Sequence, residues 1–189
     1  MKSRQARRIL SVLAVLPVVG LMVARKPAAA SPDVGTKVTF GFSGTFAATP
    51  ISGTDPLNVA GQFFFMNVVA YTSLVPVQHG QNWAVFTPLT MTGGLGQYAL
   101  NSTTAGVVQT VGDSEDIFQT GTTATVSGES VTVRAYITLP GGTLPNPRIN
   151  PFASVAAGPG TTVTYSDGVS STVLAVQDGT TLVGHARTR

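Results

Sequence analysis

Between Lys37 and Ala47 the chain reads KVTFGFSGTFA, with Val38, Phe40, Phe42, Gly44 and Phe46 on one side of a strict alternation and Thr39, Gly41, Ser43 and Thr45 on the other. Successive side chains of a strand point to opposite faces, whereas a helix would scatter these residues around its axis. The segment therefore predicts a strand with an apolar face toward a core and a hydroxyl-bearing face toward water. Ser130–Leu139 repeats the design: Val131, Val133, Ala135, Ile137 and Leu139 face one way, and Thr132, Arg134, Tyr136 and Thr138 the other. Nothing else in the sequence restricts the fold as strongly as this period of two.

The other segments are read in the same terms. Gly61–Tyr71, GQFFFMNVVAY, carries Phe63, Phe65 and Val69 on one face and Phe64, Met66, Val68 and Ala70 on the other. A strand apolar on both faces is expected to be central and covered on both sides. Trp83–Met91 predicts a strand that Pro88 confines to an edge or a bulge, with Trp83 in the core. Gly93-Gly94 predicts a turn into Leu95–Leu100, and Thr104–Val111 and Ile117–Val126 predict further strands. Pro140–Gly160, with prolines at 140, 145, 147, 151 and 159, predicts an irregular loop whose Leu144, Ile149, Phe152 and Val155 pack it as a lid over one end of the sheets. Asp167-Gly168 and Asp178-Gly179 punctuate the C-terminal part as a meander of hairpins. These signals give about nine or ten strands. They predict a single antiparallel β-sandwich, immunoglobulin-like or jelly-roll-like, with a β-barrel as the alternative.

The first thirty residues have another purpose. A basic start (Lys2, Arg4, Arg7, Arg8), an apolar run from Ile9 to Ala24 and Ala28-Ala29-Ala30 before Ser31 follow the order of a secretory signal peptide. The expected domains are thus a signal peptide, 1–30, and one β-domain, 31–189. The run is short for a bilayer span, so cleavage after Ala30 is expected, with no stable membrane span afterwards. The destination is the cell exterior, the cell surface or the periplasm, and an uncleaved anchor is the alternative. Six of the eleven Lys and Arg fall in this segment, leaving five basic against eight acidic residues, a net −3, in the mature domain. A chain so charged offers no basic track to a phosphate backbone, and nucleic acid is excluded as a partner. The absence of cysteine leaves the core to hold the fold without disulfides, which a domain of this size can do.

Gly53-Thr54-Asp55-Pro56-Leu57 with Ala60-Gly61, after the FSGTF strand, and more loosely the later VTYSDG segment, resemble the corresponding parts of certain uncharacterised secreted bacterial proteins. The resemblance implies a β-sandwich and brings no activity with it.

Little in the sequence points to catalysis. His79 and His185 are not spaced as a paired zinc motif, and no G-x-S-x-G is present. Asp113, Glu115 and Asp116 have the hard oxygen ligands calcium takes, without an EF-hand loop around them. They are the metal candidates, and no other cofactor is expected. The ligand-binding candidates are Arg148 and Phe152 in the proline-rich loop, and Arg134 and Tyr136 on the polar face of Ser130–Leu139. The expected function is a secreted, non-catalytic structural or binding module meeting a glycan or another cell-surface protein. The alternative is a small secreted hydrolase with its site near His79.

Overall fold

The computed structural model describes residues 35–126, 128–177 and 179–187; residues 1–30, where a signal peptide is expected, and Asp178 lie outside them. Eleven strands are present: β1 (Lys37–Thr45), β2 (Phe63–Tyr71), β3 (Gln78–His79), β4 (Trp83–Leu95), β5 (Tyr98–Thr110), β6 (Glu115–Val126), β7 (Glu129–Pro140), β8 (Phe152–Ala156), β9 (Thr162–Ser166), β10 (Ser171–Ala175) and β11 (Thr181–Arg187). All pairings are antiparallel. They form one sheet in the order β10-β9-β7-β6-β5-β4-β2-β1-β11-β8, with β3 added to β4.

This sheet curls until its halves face each other. Phe40 on β1 and Phe118 on β6 stand four places apart in the strand order, yet their ring centroids are 4.9 Å apart. One apolar cluster fills the space between, including Phe40, Phe42, Phe46, Phe64, Met66, Phe118, Ile137 and Leu182. The alternation of β1 and β7 is realised as read: Val38, Phe40 and Phe42, and Val131, Val133, Ala135, Ile137 and Leu139, are buried. The all-β reading holds, and a curled single sheet answers to both the sandwich and the barrel descriptions.

Four local expectations are corrected. Only one face of β2 is covered. Phe64, Met66, Val68 and Ala70 enter the core, while Phe63 and Phe65 are 58% and 40% exposed. The strand lies between β1 and β4 in a single layer, and among the described residues no second layer covers its outside. Trp83 is likewise outside the core, 38% exposed. Gly93 and Gly94 do not turn the chain; they are interior to β4. A side chain at Gly93 would collide with the backbone of Phe65 and Met66, and one at Gly94 would meet the Phe65 ring at 3.0 Å. The turn comes at Gly96, whose φ of 55° favours glycine. The proline-rich segment pairs after all, because Phe152–Ala156 is free of proline and forms β8 against β11.

The C-terminal part is half a meander. β9 and β10 form the Asp167-Gly168 hairpin, with Asp167 Oδ1 accepting from the backbone N–H groups of Val169 and Ser170. β10 and β11 do not pair: β11 crosses to lie between β1 and β8. Pro88 sits where the β4–β5 register breaks, between Phe86 and Leu89, which is how a strand inside the sheet accommodates it. Leu144 and Ile149 are buried, so the loop before β8 is packed down as expected.

Gln109, between Ala84 and Phe118 in the register, is fully buried, and among the described residues neither its Oε1 nor its Nε2 has a hydrogen-bond partner. A buried amide without partners carries its desolvation cost uncompensated. Gln109→Met, which keeps the length and removes the polar atoms, is expected to raise the unfolding free energy by about 1–2 kcal/mol. Urea denaturation of the two proteins checks this.

Candidate functional site

The outward face of β11, β1, β2, β4 and β5 is laid out by the register. One row runs Thr181, Ser43, Phe65, Gly94, Ala99; the next runs Val183, Gly41, Asn67, Thr92, Asn101. Phe63 stands two residues before Phe65 on the same face, and the two rings are 6.5 Å apart at an interplanar angle of 26°. Gly94 gives the Phe65 ring room to lie against the sheet. Beside this row, a shallow depression of about 410 Å³ is lined by Thr90, Thr92, Asn101, Ser102, Thr103 and Thr104, besides Met91. Ser102 and Thr104 share a hydrogen bond of 3.1 Å between their hydroxyls. Aromatic rings with a bank of hydroxyl and amide groups make a surface that takes apolar C–H faces and polar O–H edges together.

The charge on this face stands at its end, where Lys37 opens β1 in register with Tyr71. From Val38 to Gly112, Asp55 is the one Asp, Glu, Lys or Arg. It is not on this face: it lies in the β1–β2 loop and accepts hydrogen bonds from Tyr165 Oη at 2.6 Å, Ala60 N at 2.8 Å and Val59 N at 3.2 Å. Burial acts to raise the Asp55 pKa, and these donors together hold it below the ordinary value. Burial, with the bond to Asp55, pushes Tyr165 up to about 12.

The residues proposed from sequence are distributed differently. Arg134 and Tyr136 do share the outward face of β7. Arg134 lies over Gly121 beside a second depression of about 230 Å³ that Thr132, Thr164, Ser166, Gly168 and Ser171 also line. Burial and the charge of Glu115 raise the Tyr136 phenol. Phe152 does not join them; it turns inward, 5.8 Å from Phe40 between ring centroids. Arg148 is exposed on the loop before β8.

Asp113, Glu115 and Asp116 are not placed alike. Asp116 is fully buried, and its two oxygens accept from the backbone N–H groups of Gly112 at 3.0 Å and Leu144 at 2.7 Å. It fastens the loop before β8 to the β5–β6 turn, while Glu115 points to solvent. Among the described residues no three His, Asp or Glu side chains are grouped to hold a metal ion. His79 is exposed on β3, and among the described residues no side-chain hydrogen bond reaches it.

The hydrophobicity of Phe63 and Phe65 predicts a covered face, and Asn67, Thr92 and Asn101 carry no motif. The signal that marks them in the sequence is the scarcity of charge between Val38 and Gly112, where Asp55 is the one Asp, Glu, Lys or Arg. Comparison of the chain with protein families, with characterised proteins and with solved structures gives no match.

Proposed function

We propose that this protein is an exported, non-catalytic binding module that holds a neutral glycan on the outward face of β1, β2, β4 and β5. The observation that carries the reading is the pair Phe63 and Phe65, left outside the core beside a hydroxyl- and amide-lined depression with no charged side chain among them. Sugar rings present C–H groups of slight positive character to the negative face of an aromatic ring. Their hydroxyls exchange hydrogen bonds with Thr, Ser and Asn directly or through water. A face with Lys37 at its end as its charged side chain offers little to anionic polymers, whose capture depends on clustered Lys and Arg.

The test is binding of the full chain to an array of neutral and acidic glycans, alongside a Phe63→Ser/Phe65→Ser variant. Both positions face outward, so the fold is expected to survive, as thermal denaturation checks. Binding to neutral glycans is expected, with about a tenfold loss in the variant, the equivalent of losing one to two aromatic contacts. No binding across the array, or equal binding by the variant, would remove the reading. The Arg134 and Tyr136 face is the alternative site, and Arg134→Ala is expected to leave neutral-glycan affinity unchanged.

A further inference from the structure

We propose that the depression shared by β7, β9 and β10 is a separate binding site for a sugar acid, a uronate whose carboxylate lies on Arg134 and whose hydroxyls meet the Thr and Ser side chains around it. The register builds the site. Arg134 is in register with Thr164, and Thr132 with Ser166, which is in turn in register with Ser171. All five line the depression, whose volume is about 230 Å³. On its other side Arg134 faces Gly121, where a Cβ would come within 3.1 Å of the Arg134 Cγ. The stem of the arginine is thus laid on the sheet, and a side chain already placed loses less freedom when its head takes a ligand.

Three observations point to this ligand. Arg134 is the one basic side chain that lines either depression, and among the described residues it makes no side-chain hydrogen bond or ion pair. Asp167, next to Gly168 at the rim, is engaged within its own hairpin. Its Oδ1 accepts from Val169 N at 2.8 Å and Ser170 N at 2.7 Å, and its Oδ2 from Ser170 Oγ at 3.2 Å. A guanidinium without a counterion presents a planar fork of donors that matches a carboxylate with two parallel bonds. The hydroxyls come second. Thr132 Oγ1 is shared with Thr123 Oγ1 at 3.1 Å, and Ser166 Oγ donates to Ser170 O at 2.7 Å. Among the described residues the Thr164 and Ser171 hydroxyls make no such bond, and each can both donate to and accept from the hydroxyls of a sugar. Tyr136, two residues beyond Arg134 on the same face and 39% exposed, adds an aromatic ring for the C–H side of the ligand. Charge is the third. One guanidinium stands between Asp167 at the rim and Glu115, whose charge acts on Tyr136, and that balance favours a single negative charge over a doubly charged phosphate. The inference does not rest on the neutral-glycan reading, which concerns β1, β2, β4 and β5.

Amide spectra of the full chain, recorded during titration with sodium glucuronate, test the proposal, with glucose, sodium acetate and inorganic phosphate as separate probes. Glucuronate is expected to move the amides of Thr132, Arg134, Thr164 and Ser166, and glucose to leave them unmoved. Acetate, which has the carboxylate without the hydroxyls, is expected to bind there about tenfold more weakly. Arg134→Gln keeps the stem and removes the charge, and is expected to weaken glucuronate by about tenfold. The position faces outward, and unchanged thermal denaturation shows that the variant is folded. The methyl glycoside of glucuronate, tested alongside, tells a unit at the end of a glycan, which it mimics, from the free acid. No response to glucuronate, an equal response to glucose or acetate, tighter binding of phosphate, or full affinity in Arg134→Gln would overturn the proposal. The amides around Phe63 report separately on the neutral-glycan face, so failure of one site is distinguishable from failure of the other.

Discussion

Replacing Phe42 by alanine is expected to lower the unfolding free energy by about 3–5 kcal/mol, the range for deleting a fully buried phenylalanine from a packed core. Phe42 is buried in the middle of β1, in register with Met66 on one side and Leu182 on the other. Its ring lies 5.0 Å from that of Phe64, tilted at 56°, and Phe64 in turn stacks on Phe46 at 4.4 Å. The substitution removes the ring and leaves a cavity that β2 and β11, hydrogen-bonded on both sides, cannot close by moving. Phe63→Ala, one residue from Phe64 but outward, is expected to change stability by no more than about 0.5 kcal/mol, as surface substitutions do. Urea unfolding of the two variants checks the difference. A loss below about 1 kcal/mol for Phe42→Ala would mean that the inward face of β1 is misassigned.

Asp55→Ala is expected to cost about 2–3 kcal/mol, the scale of hydrogen bonds to a charged acceptor. The carboxylate takes Tyr165 Oη, Val59 N and Ala60 N at once, and removing it leaves the phenol of an almost fully buried tyrosine without its partner. The bond joins the β1–β2 loop to β9. Around it Ile51 N donates to Val173 O, Val173 N to Ser52 O, and Thr172 Oγ1 to Thr54 O. The loop thereby covers the outer edge of β10, the end strand of the sheet, and leaves no open ladder there to recruit another strand. Gly53 has a φ of 81° and lies against the backbone of Ser171, where no side chain would fit.

The pair also sets a pH dependence. Asp55 is lowered from 3.8, so its contribution is complete above that value and is lost as acid protonates it in the fold. Tyr165 is raised from 10.0 to about 12, so its contribution is complete below 10.0 and declines as pH rises toward 12. Melting temperatures across both windows are expected to fall in the parent protein and to flatten in Asp55→Ala/Tyr165→Phe. The double-mutant cycle isolates the coupling between the two residues.

That bond also joins the stretches on which the resemblance rests. Its two parts, Gly53–Leu57 with Ala60-Gly61 and the VTYSDG segment, lie far apart in the chain and meet at Asp55 and Tyr165. In this structure the two stretches fasten the β1–β2 loop to β9. The alternation in Lys37–Ala47 and Ser130–Leu139 was legible because a strand with one wet face writes its burial into a period of two. The face of Phe63 and Phe65 was not, because hydrophobicity alone does not distinguish a covered side from one left exposed. Gly93 and Gly94 misled for a related reason: glycine marks a turn and a close approach of backbones with the same letter. Nor does the Asp178-Gly179 signal reveal that the next strand crosses to β1, since register with a distant partner is decided by packing. Asp116 had the chemistry of a calcium ligand in the sequence, and only the fold shows its oxygens turned onto backbone donors.

The outward face around Phe63, Phe65, Thr92 and Asn101 is the surface proposed to bind. Backbone amide chemical shifts of the full chain, followed during titration with a neutral glycan that binds it, test this most directly. The account predicts perturbations concentrated on Phe63–Asn67, Thr90–Gly94 and Asn101–Thr104, with the β7 and β9 amides around Arg134 and Thr164 unmoved. Perturbations centred on Arg134 and Tyr136, or on the loop carrying Arg148, would contradict it.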